Sequence, residues 1–289
     1  MQKIATVEGT KEVISKYPFA FRKKFGQNFL VDPHVLNKII DSANITKEDC
    51  VIEIGPGIGS VTQALIESAG KVISIEIDNQ LIPILEEQFG ENDHFKLIHQ
   101  DVLKVDLKKL IEEESPGKKV KVVANLPYYI TTPIIMALLE NELPIESITV
   151  MVQKEVADRL ASKPGTKQYG AITASVSYYA QPYLVANVPR NCFMPRPNVD
   201  SAVIQLVLSE KPQIEVGNVK QMFKIIKAAF LLRRKTLLNT LLSHGELGID
   251  KEELKDILEE SGIGSQTRGE TLSIQDFARL SDFIDAHRS

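Results

Sequence analysis

Val51-Ile-Glu-Ile-Gly-Pro-Gly-Ile-Gly59 is the stretch whose reading decides the fold. A short apolar strand runs into glycines that let the backbone approach a ligand and turn sharply into a helix, expected from Val61 to Ser68. Working outward, the same unit recurs. Lys71-Val-Ile-Ser-Ile75 is a second strand that ends at Glu76, about twenty residues beyond Gly55, where a carboxylate can accept both hydroxyls of a ribose. Phe95-Lys-Leu-Ile-His99 is a third, followed by Gln100-Asp101-Val102, where the Asp can take an amino hydrogen of a base. Val120-Lys-Val-Val-Ala124 and Ile148-Thr-Val-Met-Val152 complete five strands. Strands alternating with helical stretches describe an α/β fold with a Rossmann-like sheet, which binds ligands at the C-terminal strand ends.

The G-x-G-x-G turn is a weak pattern alone. A dinucleotide loop leaves helix N–H groups facing a pyrophosphate, whereas Pro56 and the tight Gly57-Ile-Gly59 crowd that position. Glu53 adds a negative charge that a diphosphate would not tolerate and a sulfonium or amino acid would. The turn therefore favours S-adenosylmethionine over a nicotinamide cofactor.

Asn125-Leu-Pro-Tyr-Tyr129 follows the fourth of these strands and so stands at the rim of the crevice. The Asn amide has an acceptor oxygen and Pro127 lacks an N–H, so the loop is rich in acceptors. Two acceptors converging on an exocyclic amine, with the ring of Tyr128 flat against the heterocycle, would hold an adenine or a cytosine. The plain alternative is that Asn125 caps the next helix, Pro127 stiffens a turn and the tyrosines pack a core edge.

A chain of 289 residues suits one large domain and a smaller one. Charged residues at 25% and hydrophobic ones at 43% are ordinary for a globular protein. No apolar run is long enough to span a bilayer and the N-terminus carries no signal-peptide block, so no membrane is expected and the cytoplasm is the default location. Cys50 and Cys192 lack any metal-binding or disulfide spacing and are read as small core residues. The net charge of −4 conceals segregation: residues 151–240 hold 13 Lys/Arg against 5 Asp/Glu, and residues 241–289 hold 5 against 11. A basic face of that kind is what a nucleic-acid footprint requires, although a solvated surface has the same count.

Residues 1–20 form an N-terminal arm with a short helix expected over Thr10 to Lys16. Arg22-Lys-Lys-Phe-Gly-Gln-Asn-Phe-Leu30 places three cations before a glycine turn bracketed by aromatics. Asp32-Pro33 then starts a helix to about Ser42. Helices are expected from Thr131 to Asn141, Gln153 to Leu160 (with Lys154 and Arg159) and Ala171 to Ala180, with a strand over Tyr183 to Val188. In Phe193-Met-Pro-Arg-Pro-Asn-Val199 two prolines stiffen a loop that presents Phe193 and Arg196, and burial of Phe193 in the core is the alternative. Ser201 to Leu208 is a last strand, for which an antiparallel course is open. The domain at 21–208 thus ends at a linker over 209–218, and 219–289 reads as a small all-helical domain. Its first helix spans Val219 to Leu232 and continues into Arg233-Arg-Lys-Thr; Leu254 to Glu260 and Ile274 to Ile284 are further helices.

Taken together, Phe25-Gly-Gln-Asn-Phe-Leu30, Glu53-Ile-Gly-Pro-Gly-Ile-Gly59, Asn125-Leu-Pro-Tyr-Tyr129, Phe193 to Val199, Phe230 to Asn239 and Arg268-Gly-Glu-Thr-Leu-Ser273 resemble the ribosomal RNA adenine dimethyltransferases. The small-subunit (16S) branch is the better match, ahead of the erythromycin-resistance methylases of large-subunit RNA. The resemblance implies a class I S-adenosylmethionine-dependent methyltransferase sheet with a helical C-terminal domain. It implies that Asn28 and Leu30 contact the methionine end of the cofactor and that Gly55 and Gly57 pass beneath its carboxypropyl chain. Glu76 would take the ribose and Asp101, with Val102 beside it, the adenine. Asn125 would touch both donor and target, the Leu126 carbonyl and the Asn125 oxygen would hold the target N6 in the loop that Pro127 stiffens, and Tyr128 and Phe193 would sandwich the flipped base. Binding of 16S rRNA in the 30S subunit would fall to Arg22, Lys23, Lys24, Lys154, Arg159, Arg196, Arg233, Arg234 and Lys235, mainly through phosphates. Two successive methyl transfers without a covalent intermediate or a metal are expected, from a monomer. A ribosome-assembly binding factor, a DNA adenine methyltransferase and a nicotinamide oxidoreductase are the competing classes, and the insert expected of the DNA enzyme is missing.

Overall fold

The computed structural model describes residues 3–22, 26–209, 211, 214–245 and 247–288, so Lys23 and Lys24 lie outside the described residues. From the N-terminus the elements are α1 (Val7–Ser15), β1 (Phe29–Leu30), α2 (Pro33–Ala43), β2 (Cys50–Ile54), α3 (Ser60–Ser68), β3 (Lys71–Glu76), α4 (Ile82–Phe89), β4 (Phe95–His99) and α5 (Leu107–Glu114). They continue with β5 (Val120–Asn125), α6 (Thr131–Glu140), β6 (Ile145–Gln153), α7 (Lys154–Leu160), α8 (Ala171–Tyr179), β7 (Ala180–Val188), β8 (Phe193–Met194) and β9 (Ser201–Leu208). Last come the helices α9 (Val219–Ala229), α10 (Leu237–His244), α11 (Lys251–Glu260) and α12 (Ile274–Arg288). The chain divides into two units, residues 1–157 with 182–208 and residues 158–181 with 209–289.

The main sheet has seven strands in the order β4-β3-β2-β5-β6-β9-β7. β4 to β6 run parallel and β9 antiparallel to β6, with Gln153 facing Ser201. β2 and β5 are buried along almost their whole length, as continuous apolar runs of a sheet covered on both faces should be. Ile52, Ile73 and Val122 are wholly buried, and each such side chain contributes roughly 1.5–3 kcal/mol relative to exposure. Sequence order proceeds from β2 to β3 on one side and to β5 on the other, so the order reverses between β2 and β5 and a crevice opens at their C-terminal ends.

The N-terminal arm belongs to this unit. Its helix starts at Val7, three residues earlier than expected, because the Thr6 hydroxyl caps it by accepting from Gly9 N at 3.0 Å. Ile4 is buried against Phe29, Ile58, Leu85 and Phe89, and its N–H donates to Gln63 Oε1 at 3.0 Å. α5, not expected from the pattern, is capped by Asp106 and buries Leu107, Leu110 and Ile111.

The second unit is helical and not continuous in sequence. Residues 158–181 pack with 209–289, a boundary different from the one drawn at 209–218, because Tyr169, Ala174 and Tyr178 share a core with Ile225, Ile257, Phe277 and Leu280. Tyr169 is fully buried and its hydroxyl donates to Leu272 O at 2.7 Å, which removes the cost of an unpaired phenol. The expected linker is held as well: Ser209 N donates to Tyr179 O at 3.2 Å and Gly217 N to Asp282 Oδ1 at 2.9 Å. α9 stops at Ala229 instead of running on through Arg233. A turn intervenes and Thr236 caps a separate α10. Gly269 has no room for a Cβ, which would lie 2.7 Å from Ala229 O, and this accounts for the glycine in Arg268-Gly-Glu-Thr.

Candidate active site

A cleft of about 1040 Å³, its open mouth included, lies at the C-terminal ends of β2, β3 and β5. Its floor is the glycine turn. Gly55 and Gly57 have φ of +69° and +62°, and a Cβ on Gly57 would sit 3.0 Å from the Phe29 ring. Only glycine combines that backbone with that neighbour.

Glu76 ends β3 at the wall, with its carboxylate fastened to the backbone around it. Oε1 accepts from Ile77 N at 2.9 Å and Asp78 N at 2.8 Å, and Oε2 from Gly57 N at 3.3 Å. Burial pushes its carboxyl up to about 7, against the lowering effect of these three N–H groups. Glu53 also lines the cleft, and its carboxylate is bonded from within the protein. Its Oε2 accepts from Thr62 Oγ1 at 2.7 Å and Ser74 Oγ at 2.6 Å inside the sheet, and burial raises it to about 7. Asp101 and Val102 line the cleft beyond β4, where Asp101 Oδ1 also accepts from Leu103 N at 3.1 Å.

The loop at 26–30 forms the facing wall and contributes Asn28 and Leu30. β1 pairs antiparallel with β8, Leu30 opposite Phe193, so two motifs that are distant in sequence form one ribbon. Val31 N extends the ribbon by donating to Cys192 O at 2.8 Å. Asp32 anchors its end: burial would raise the carboxyl, but hydrogen bonds from Cys192, Val35 and His34 together hold it below the usual carboxylate range.

Asn125 is half-buried at the end of β5 and does not cap α6, whose N-cap is Ile130. Its Nδ2 donates to Asn28 O at 3.0 Å, which orients the amide and leaves Oδ1 as the acceptor end. Leu126 N donates to Met151 O at 3.1 Å, while Pro127 O is consumed within the turn by Ile130 N and Thr131 Oγ1. The acceptors of this loop left to the cleft are thus fewer than the sequence suggests, since Pro127 O is taken. Tyr128 is half-buried and its hydroxyl shares a 2.7 Å hydrogen bond with Ser201 Oγ at the start of β9, which holds the ring in place. Phe193 is not part of the cleft wall. At 4% exposure it packs with Leu30, Val35 and Val203, because its strand turns it toward the core.

Sequence reasoning missed Ser60. It is the first residue of α3 and lines the cleft, and its buried hydroxyl has no hydrogen-bond partner among the described residues. A serine opening a helix after a glycine turn is the signal that could have found it. An orphaned donor, the Glu76 carboxylate on the wall and a Cβ-free floor fit a nucleoside joined to an amino acid, as in S-adenosylmethionine. Among the described residues no group of three or more His, Cys, Asp or Glu is placed to hold a metal ion.

The family model described as "Ribosomal RNA adenine dimethylase" matches residues 18–285. The chain belongs to this family. Relatives named "Ribosomal RNA small subunit methyltransferase A" include one from Lachnoclostridium phytofermentans, 56% identical over 96% of both chains, and one from Clostridioides difficile, 49% identical over 99% of this chain and 98% of that one. Among solved structures, a dimethyladenosine transferase from Plasmodium falciparum superposes with a TM-score of 0.73 at 28% identity, over 87% of this chain and 95% of that one. The 23S rRNA methyltransferase ErmE does so at 0.67 and 25%, over 89% and 100%. The fold is that of class I S-adenosylmethionine-dependent methyltransferases, and this adenine dimethylase is an enzyme of that class.

The cations expected to meet RNA divide into two groups in this dimethylase. Arg196, Arg233, Arg234 and Lys235 are exposed, as is Arg159, while Arg22 and Lys154 are half-buried. Arg22 and Arg233 are committed to the protein. Arg22 Nη1 bonds Asp78 Oδ1 and Asn79 Oδ1, each at 2.9 Å. Arg233 Nη2 donates to Tyr169 O at 2.7 Å and Lys167 O at 3.0 Å, with Glu270 at 3.6 Å.

Proposed function

We propose that this enzyme converts two adjacent adenosines, in a hairpin loop near the 3′ end of 16S rRNA, to N6,N6-dimethyladenosine within the small ribosomal subunit, working as a cytoplasmic monomer that also serves subunit biogenesis. The relatives named for the small subunit, matched end to end, support the substrate. The observation that carries the chemistry is the amide of Asn125, held by Asn28 O so that Oδ1 is an acceptor at the rim of the cleft.

Adenine N6 is a poor nucleophile because its lone pair is delocalised into the ring. Asn125 Oδ1 and the Leu126 carbonyl accept its hydrogens and favour the pyramidal nitrogen, and Tyr128 supplies a fixed stacking face for the flipped base. When bound, S-adenosylmethionine supplies an electrophilic sulfonium methyl. Glu76 would hold its ribose and Asp101 its adenine amine, with Val102 alongside; Asn28, Leu30 and the Ser60 hydroxyl would face its methionine end. The N6 proton leaves to water, and the second transfer needs one acceptor to release its N–H. Phe193 supports the Leu30 wall from the core. Phosphates fall to Arg196, Arg234 and Lys235, with Lys154 and Arg159.

Tritiated methyl transfer to undermethylated small subunits, naked 16S rRNA and large-subunit RNA, run side by side, tests this reading. Incorporation of two methyl groups on each of two adenosines in the small-subunit substrate is expected, and preferential labelling of large-subunit RNA would reject it.

A further inference from the structure

Asp78 is a fully buried carboxylate two residues beyond Glu76, and the reading above does not use it. Its Oδ1 accepts from Arg22 Nη1 at 2.9 Å and Gln80 N at 3.1 Å, and its Oδ2 from Gln27 Nε2 at 2.6 Å. Gln27 Oε1 in turn accepts from Arg22 N at 2.7 Å, which closes the three residues into a ring. A buried carboxylate is costly unless every lone pair is met, and charge-assisted bonds of this kind are strong and directional. The ring joins the two halves of the cleft. On one side Asp78 N donates to Glu76 Oε1; on the other, Gln27 is followed by Asn28, whose carbonyl receives Asn125 Nδ2.

We propose that Asp78 is a positioning residue for methyl transfer. Through Gln27 it sets where the Asn28 carbonyl stands, and so how the Asn125 amide presents its oxygen, while its own N–H steadies Glu76. This rests on the assignment of Asn125 as the N6 acceptor. A bare structural staple would hold Arg22 and leave Asn125 unaffected.

Exchanging the two groups tests it. Asp78→Asn sets an amide N–H against Gln27 Nε2, and Gln27→Glu sets two carboxylates against each other. Each should weaken S-adenosylmethionine binding and lower kcat, by about tenfold in each quantity. In the double variant the carboxylate sits at 27 and the amide at 78, every donor again meets an acceptor, and Kd and kcat should return to within about threefold of wild type. Calorimetry with S-adenosylmethionine, single-turnover methylation of undermethylated small subunits and the melting temperature are read together. Single variants at wild-type kcat overturn the proposal, as does a folded double variant no better than the poorer single. Gln27→Leu, which keeps the Arg22–Asp78 pair but leaves Asp78 Oδ2 without its donor, is the second arm: the variant should melt lower than wild type, and below its melting temperature a lowered kcat supports the proposal while an unchanged kcat overturns it. An Asn125→Ala variant as active as wild type would overturn the acceptor assignment itself; an inactive Asn125→Ala beside normal Gln27 variants would overturn the positioning role alone.

Discussion

Asn125 ties the end of β5 to the loop at 26–30 through one amide, and with the proposed acceptor role the expected consequence is a clean separation of chemistry from folding. Asn125→Ala should lower kcat by about 100-fold or more, the scale seen when one preorganised polar group is removed from a transition-state site. Its melting temperature should stay within a few degrees of wild type, since the side chain is half-buried and makes one bond to Asn28 O. Glu53 offers a test by pH. Its folded pKa, about 7, lies above the ordinary 4.5, so its contribution to stability is complete below about pH 4.5 and is lost as pH rises through about 7. Glu53→Gln can still accept from Thr62 and Ser74 and carries no charge. The melting temperature of this variant relative to wild type should therefore climb between about pH 4.5 and 7, and a difference that stays flat across that window would reject the buried-charge account.

Among the elements, the turn from β2 to α3 is the most constrained. Gly59 has φ of +91° and a Cβ there would collide with the ring of Phe89 at the end of α4. Gly59→Ala should cost about 2–4 kcal/mol, from backbone strain together with overpacking. Equilibrium denaturation should show this, with part of the loss recovered when Phe89→Leu is added. The strands and most helices were legible because their periods and caps are local: Asp32-Pro33 starts α2, whose cap the structure confirms with bonds to His34 N and Val35 N. The break between α9 and α10 was not legible, because Arg233, Arg234 and Lys235 are all good helix formers. That break depends on Arg233 reaching Tyr169 O and on Thr236 serving as a cap, and the first is a contact across more than sixty residues of chain.

For the whole molecule, the charge segregation seen in the sequence translates into a smaller free set than the count suggests. Arg233, Arg234 and Lys235 are all exposed, but Arg233, like Arg22, is bonded within the chain. Replacing Arg234 and Lys235 by Ala should weaken RNA binding at all sequences and reduce the slope of log K against log salt by about 0.7–0.9 per cation removed. Arg22→Ala should leave that slope unchanged and instead weaken cofactor binding, because its partners are Asp78 and Asn79. Binding isotherms between low and moderate salt measure both, and equal slope changes would reject the division.

What the sequence determined by itself was the set of local signals: apolar runs ending at Gly55, Glu76 and Asn125, glycines at a strand-to-helix turn, and an acceptor-rich loop. These settle the sheet and the class of cofactor, because each depends on residues adjacent in the chain. Only the tertiary structure decided which polar groups remain for a ligand. Phe193 packs against Leu30 in the core, Glu53 is bonded by Thr62 and Ser74, Ser60 has no hydrogen-bond partner among the described residues, and Arg22 is bound to Asp78. A side chain's availability is set by what folds against it from elsewhere in the chain, and no local pattern encodes that.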